Sequence, residues 1–260
     1  MNVAVIGAGN IAWHLSKAFI NAGFPVKQIW NRTAEGATDL ALEIGADSIT
    51  DLALLSDDVD LVVMAVSDKA ISEIAAQLQL KEHQVLVHTS GSVSLHVIKN
   101  FAAKTGVIYP LQTFSKEVQV DFTEIPVFIE GDSPETVNRL ETVVEKLSSK
   151  VYKADSAQRI KLHIAAVFAC NFTNHFYALA QELLTSSGLD FDFIKPLIKE
   201  TVQKAVNGNP KALQTGPAIR NDADTMSKHL EMLNAAPQLQ ELYKLVSQSI
   251  VKMYHESEVK

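Results

Sequence analysis

The chain has 260 residues, 47% of them hydrophobic, and a formal net charge of -7. That length can bury a substantial core in one large or two ordinary domains, and the acidic balance argues against a nucleic-acid or anionic-membrane surface. One cysteine, Cys170, leaves no intrachain disulfide or zinc cluster and points to a reducing, cytoplasmic setting. Apolar runs are too short to span a bilayer, and Met1 leads directly into a strand pattern rather than a secretory signal.

Val3–Ile6 is an apolar strand that ends at Gly7, and a helical pattern begins at about Asn10. Gly7-Ala8-Gly9-Asn10-Ile11-Ala12 therefore occupies a strand-to-helix turn, the context of a dinucleotide fingerprint. Gly7 permits the tight turn, Gly9 removes the side chain that holds a pyrophosphate off the backbone, and Ala12 lets helix and strand pack closely. The phosphates would rest on the free amides around Asn10 and Ile11, where the helix dipole favours negative charge.

Gly23 is expected to close this helix, and Val26–Trp30 is the second strand. It runs into Asn31-Arg32-Thr33. NAD sites carry a carboxylate here to accept bonds from the ribose, whereas NADP sites supply a cation. Arg32 can clamp a 2'-phosphate and stack on adenine, with Asn31 and Thr33 adding neutral donors, so NADP is the expected cofactor. The alternative for Arg32 is an exposed arginine in a turn.

Ala34–Ile44 reads as a helix ending at Gly45, followed by a short strand near Asp47–Ile49. Leu61–Val66 is a continuous apolar run, as a central parallel strand requires. Ligands of open α/β sheets sit outside the carboxyl ends of strands, so Val66, Ser67 and Asp68 should flank the cofactor. Asp68 could equally cap a helix over Ala70–Leu78. The strand Val85–His88 leads into Thr89-Ser90-Gly91-Ser92, a small polar turn that sets His88 and Ser90 where a nicotinamide would lie. Val107–Tyr109 and Ile125–Glu130 are further strands, with Pro126 marking an edge or a strand start. Ser133-Pro134-Glu135 starts a helix, and Val151-Tyr152 is the last strand. Such alternation predicts an α/β domain over residues 1–153, with a doubly wound, mostly parallel Rossmann-type sheet.

Beyond residue 154 the pattern becomes all-helical, which defines a second domain over 154–260. From Gln158 to Ser186 there is neither proline nor glycine, and Ile160, Ile164, Val167, Phe168, Phe172, Phe176, Leu179 and Leu183 describe one long helix. A helix apolar nearly all round is expected to be buried, with Cys170 as a small interior residue. Further helices are expected at about 222–233 and 237–254.

Hydride transfer needs a proton donor and groups that hold the acceptor against the nicotinamide. At about 100° per residue, Asn171 and His175 lie one turn apart, and His163 lies two turns before Asn171, rotated by about 80°. These are the candidate catalytic residues, Asn171 orienting the substrate and His163 or His175 assisting proton transfer. Alternatively they are interior polar groups satisfied by nearby backbone. A second candidate is the Thr215–Asp222 stretch, where Arg220, with His229 farther on, could meet an anionic substrate, although Asp222 is also an ordinary cap. No histidine has metal-ligand spacing.

The motifs Gly7–Ala12, Asn31-Arg32, His88-Thr89-Ser90-Gly91, Pro110-Leu111-Gln112-Thr113-Phe114, Ala166–Phe172 and Thr215-Gly216-Pro217 with Arg220 and Asp222 carry a family resemblance. The chain resembles bacterial Rossmann-like proteins that pair an NADP-type N-terminal domain with a helical C-terminal domain of unknown function. Members often have His where this chain has Tyr109. The layout is more distantly similar to pyrroline-5-carboxylate reductases, deazaflavin-dependent NADP reductases and β-hydroxyacid dehydrogenases. The last group uses a helical Lys with Asn one turn on; Lys161 and Asn171 do not keep that spacing, so no catalytic lysine carries over. The resemblance implies a cofactor and a fold and supplies no substrate. The leading reading is an NADP-dependent oxidoreductase acting on a small carbonyl or imine substrate, and related folds that bury such helices between subunits imply a homodimer formed through the helical domain. A non-catalytic NADP(H)-binding sensor or assembly protein is the alternative.

Overall fold

In the computed structural model, which describes residues 1–255, the runs Val3–Ile6 (β1), Leu61–Met64 (β4) and Val85–His88 (β5) are buried at every position. Strands covered on both faces must be so. They form the middle of an eight-stranded sheet completed by Val26–Trp30 (β2), Asp47–Ile49 (β3), Lys104–Pro110 (β6), Val127–Gly131 (β7) and Val151–Lys153 (β8). The order is β3-β2-β1-β4-β5-β6-β7-β8. All pairs are parallel except β6 with β7, which is antiparallel, with Pro110 opposite Val127. Strand order reverses between β1 and β4, the position at which open α/β sheets bind ligands. Val3 and Val5 join the core on one face, and Ala4 and Ile6 join the core on the other.

The N-terminal helices follow their end signals. Asn10–Asn21 (α1) closes at Gly23, whose φ is 81°, and Ala34–Ile44 (α2) closes at the left-handed Gly45. Pro134–Val144 (α4) is capped by Ser133, whose hydroxyl accepts from the Thr136 amide. The segment after β4 differs from expectation. It forms a 3-10 turn, Asp68–Ala70, and the short helix Ile71–Ala75 (α3), with Ser67 in the cap position. Asp68 is not the cap, because its carboxylate accepts the Ser92 hydroxyl instead. Pro126 directly precedes β7, where its missing amide costs no ladder bond, and the sheet's outer strand is β8.

The chain divides into two compact units, Met1–Tyr177 and Ala178–Lys260, and the division falls inside the long helix. That helix begins as Ser156–Ala166 (α5), with a capping box between Asp155 and Gln158. It passes through a π-helical segment, Val167–Phe172, and continues as Thr173–Ser186 (α6). Two expectations fail here. The helix is not buried, since Ile164 is 51% and Phe168 65% exposed, and Cys170 is exposed as well. Its apolar circumference exceeds what the chain's own sheet can cover. Nor is it uniform: the wider turn adds a residue, and Thr173 Oγ1 donates to the Phe168 carbonyl, five residues back, at 3.2 Å.

The second unit contains Lys195–Asn207 (α7), Ala223–Met232 (α8) and Pro237–His255 (α9). Asp222 caps α8, and the Thr225 amide and hydroxyl hold its carboxyl below the usual range. His229 Nδ1 meets the Tyr243 hydroxyl at 2.8 Å, joining α8 to α9.

Arg159 fastens α5 to the sheet. It is fully buried, and its five N–H groups are all used. Nε and Nη2 reach Glu130 Oε2 on β7 at 3.1 and 2.7 Å, Nη2 also meets Ser156 Oγ at 3.0 Å, and Nη1 donates to the carbonyls of Ser90 and Val93 at 2.7 and 3.0 Å. Truncation should leave a largely buried carboxylate and two carbonyls without partners. Arg159→Ala is therefore expected to cost about 3–5 kcal/mol in denaturant unfolding, and Arg159→Met with Glu130→Leu to recover most of it. A loss below about 1 kcal/mol would place the clamp among weak surface pairs.

Candidate active site

At the end of β1 the backbone of Gly7 has φ 113°, and a Cβ there would stand 2.3 Å from the Ala65 carbonyl oxygen. Only glycine can make this turn. Gly9 differs: a Cβ would meet no heavy atom within 4 Å, so the space before it is open. Gly9 caps α1 without a side-chain bond, and the first intrahelical bond runs from the Trp13 amide to the Gly9 carbonyl at 2.9 Å. The amides of Asn10 and Ile11 precede that bond and point out of the helix start. These features fit a pyrophosphate.

Beside the turn, Asn31 Nδ2 donates to Thr33 Oγ1 and to its carbonyl at 3.1 and 3.3 Å, fixing the bend that carries Arg32. Arg32 is exposed and has no hydrogen-bond or ion-pair partner among the described residues. A cleft of about 430 Å³ brings together Gly7, Gly9, Asn31, Arg32, Val66 and Ser67. Its size suits a small-molecule site. Trp30 lines this cleft, whereas Trp13 lines a separate cleft of about 910 Å³ with Lys17, Lys116 and Lys146. Thr33 stands at the cap position of α2.

The chain after Pro110 is tied to the start of α1. Asn10 Nδ2 donates to the Phe114 carbonyl at 2.9 Å, and His14 Nε2 meets the Ser115 carbonyl at 2.8 Å with its ring stacked on Phe114. The Asn10 side chain thus holds this strap, while its amide remains at the helix start.

At the carboxyl ends of β5 and β6 lies a second group of residues. His88 is fully buried, and its Nδ1 accepts from the Ser90 amide at 3.2 Å. Burial first, and the Arg159 charge second, lower its pKa from 6.5 to about 4, against the opposing pull of Asp68 and the Ser94 carbonyl. The ring is therefore neutral near pH 7 and keeps its proton on Nε2, which has no hydrogen-bond partner among the described residues. Ser90 Oγ accepts from the amides of Ser92 and Val93 at 3.1 and 3.0 Å and so shapes the turn.

The Tyr109 ring rests on Gly91, where a Cβ would stand 2.6 Å from Cζ and 2.8 Å from the hydroxyl. That hydroxyl lies 3.3 Å from His163 Nδ1 on α5, with the two rings edge to face. Burial pushes the Tyr109 pKa up, so the phenol stays protonated and can serve as a donor.

Of the sequence candidates, the structure brings His163 to Tyr109, and His88 and Ser90 to the same turn. Asn171 and His175 are exposed, with no hydrogen-bond partner among the described residues. Asn171 lies within the π segment and His175 beyond it, so the angles of a regular helix do not relate them to His163. Arg220 and His229 are exposed residues of the second unit. Sequence reasoning assigned no role to Tyr109, Arg159 or Glu130; Tyr109 was marked only as standing where related proteins often have His, at a strand's carboxyl end before a proline.

Residues 2–91 match a family model described as NADP oxidoreductase, coenzyme F420-dependent, and residues 125–250 match a domain of unknown function, DUF2520. A putative NADP oxidoreductase from Bacteroides fragilis is 45% identical, with 96% of this chain and 98% of that one covered and a TM-score of 0.91. Protein TM1727 from Thermotoga maritima, 23% identical over 99% of this chain and 100% of that one, has a TM-score of 0.72. A reductive aminase from Aspergillus terreus, solved with NADPH and ethyl levulinate, is 15% identical over 97% and 94% of the two chains, with a TM-score of 0.68. These last two share the fold. No curated protein matches the sequence. With the Bacteroides fragilis protein related along nearly its whole length, the chain belongs to the family of pyridine-nucleotide oxidoreductases that join a Rossmann-type NADP-oxidoreductase domain to a DUF2520 domain.

Proposed function

We propose that the protein is an NADP-dependent oxidoreductase that moves a hydride between the nicotinamide and a small carbonyl or imine compound. The observation that carries this reading is the unpaired Arg32 guanidinium in the cleft that opens from Gly7 and Gly9, at the position where NAD sites hold a carboxylate. The description of the Bacteroides fragilis relative and the NADPH bound to the Aspergillus terreus enzyme support it. A cytoplasmic location accords with a lone, exposed cysteine.

Bound NADPH supplies the hydride. The chain's own residues orient the acceptor and move the proton. The neutral Tyr109 phenol can donate its proton to the nascent alkoxide or amine nitrogen and regain one through His163 Nδ1, the partly exposed imidazole taking up a proton from solvent in turn. Asn171 has both a donor and an acceptor with which to hold a carbonyl or imine, and His175 stands four residues on to assist.

Titration with NADPH and NADH, followed through quenching of Trp30, tests the cofactor. NADPH should bind at least about tenfold more tightly than NADH, and Arg32→Ala should remove most of that preference. Equal affinities in the unaltered protein reject NADP as the specific cofactor; no saturable binding rejects the dinucleotide site.

In a screen of carbonyl and imine compounds, Asn171→Ala and Tyr109→Phe should each lower kcat by roughly a hundredfold or more with NADPH affinity unchanged. Unchanged turnover removes the residue concerned from the mechanism. NADPH binding with no compound oxidising it would favour a non-catalytic sensor or assembly protein.

A homodimer is part of this reading. Ile160, Ile164, Phe168, Phe172 and Phe176 recur every fourth residue, 38–65% exposed, along α5, the π segment and the start of α6. Within the second unit Ala218 is the one fully buried hydrophobic residue described, while Phe193, Val206 and Met232 are 71%, 76% and 84% exposed. A stripe of this kind can pack against its own copy about a two-fold axis, and a unit without a core of its own requires a permanent cover. Sedimentation at micromolar concentration should give two chains, and Phe168→Glu should release single ones. A monomeric unaltered protein rejects the dimer.

A further inference from the structure

Two threonines in the regular helices show how far a hydroxyl reaches along an α-turn. Thr142 Oγ1 in α4 donates to the Asn138 carbonyl at 3.0 Å, and Thr201 Oγ1 in α7 to the Leu197 carbonyl at 2.9 Å, each four residues back. Thr173 departs from them. It stands directly after the π segment Val167–Phe172, and its Oγ1 reaches the Phe168 carbonyl at 3.2 Å, five residues back. In an α-turn the Ala169 carbonyl would take that place, so the bond reports and favours the wider turn where it now sits. The extra residue re-aims two candidate site residues. At about 100° per residue, His175, beyond the segment, faces where residue 174 would in an unbroken helix, and Asn171, inside it, is turned part of that way.

We propose that Thr173 is a positioning residue whose hydroxyl pins the π turn at residues 167–172 and so sets the direction of Asn171 and His175 relative to the Tyr109–His163 pair. The proposal rests on the oxidoreductase reading above and adds to it the group that aims the substrate-holding side chains. Losing the extra residue altogether would turn the whole of α6 by about 100° about its axis, whereas moving it along the helix turns only the residues it passes. Migration is therefore the smaller change. Backbone bonding alone distinguishes little between neighbouring positions of the turn, which lets one side-chain hydrogen bond choose among them. Arg159 fastens α5 to β7 and to the turn after β5, so a migrating turn would re-aim Asn171 and leave His163 in place.

Crystal structures of Thr173→Val and Thr173→Ser, together with kcat on whichever carbonyl or imine compound the screen returns, test this. Valine keeps the branched shape without the hydroxyl, and serine keeps the hydroxyl. Thr173→Val should shift the π turn away from 167–172 and lower kcat by about tenfold or more, with NADPH affinity unchanged. Thr173→Ser should hold the turn in place and keep kcat within about twofold. A Thr173→Val structure in which the turn and Asn171 have not moved overturns the pin. A displaced turn with undiminished kcat overturns the positioning role and leaves the oxidoreductase reading standing. If no compound oxidises NADPH, the oxidoreductase reading falls and the positioning role with it, while the two crystal structures still decide whether the hydroxyl fixes the turn.

Discussion

A guanidinium buried away from water must find an acceptor for each of its five N–H groups, and in this fold Arg159 imposes that demand on three parts of the first unit at once. Glu130 fixes β7, the Ser90 and Val93 carbonyls fix the turn after β5, and Ser156 fixes the first turn of α5. The consequences spread from there. With the Ser90 carbonyl held, Gly91 is set under the Tyr109 ring, and the phenol is placed against His163 on the helix that Arg159 itself anchors. The same charge adds to burial in keeping His88 neutral. A residue that touches no candidate ligand thus organises the groups that do the proposed chemistry.

Much of the first unit was legible in sequence because its signals are local. Strands buried on both faces leave only apolar residues, as in Leu61–Met64, and helix ends declare themselves through Ser133, Gly23 and Gly45. The fingerprint glycines could be read because Gly7 takes a φ of 113° that favours glycine and Gly9 leaves the space before the helix start open. The candidate site at the sheet's carboxyl edge was less legible. Tyr109 and His163 are 54 residues apart, and nothing periodic links them. Arg159 occupies an ordinary position in an amphipathic helix, where a charge normally means solvent. Asp68 could be read equally as flanking the cofactor or as capping a helix, and a hydroxyl from another loop takes its carboxylate in place of the cap. The extra residue of the π turn has no compositional mark, so helical-wheel angles carried His163 to the wrong relation with Asn171.

The long helix shows what apolar patterning reports. It says that a surface must leave water, and it is silent on which molecule supplies the cover. Burial was the expectation, yet within α5 only Arg159 is fully buried in the chain itself. The phenylalanines that made the helix look internal instead remain on its outer side, with Phe168 and Phe172 packed edge to face on one another.

The antiparallel turn of β7 has a further consequence. Because β7 runs against β6, the connection from Leu111 to Pro126 leaves and returns at the same edge of the sheet, closed by the bond from the Leu111 amide to the Pro126 carbonyl at 2.8 Å. A parallel strand there would have required the chain to cross a face of the sheet and come back from the far end. The loop that crosses the start of α1 is therefore a hairpin whose base is locked and whose interior is unconstrained by strand register. Insertions and substitutions in its exposed stretch, 116–119, leave every strand in place, whereas Phe122 and Ile125 are held in the core. Variation in length there is absorbed without a shift of register between β6 and β7, while the bond from Asn10 to the Phe114 carbonyl keeps the loop on the fingerprint turn.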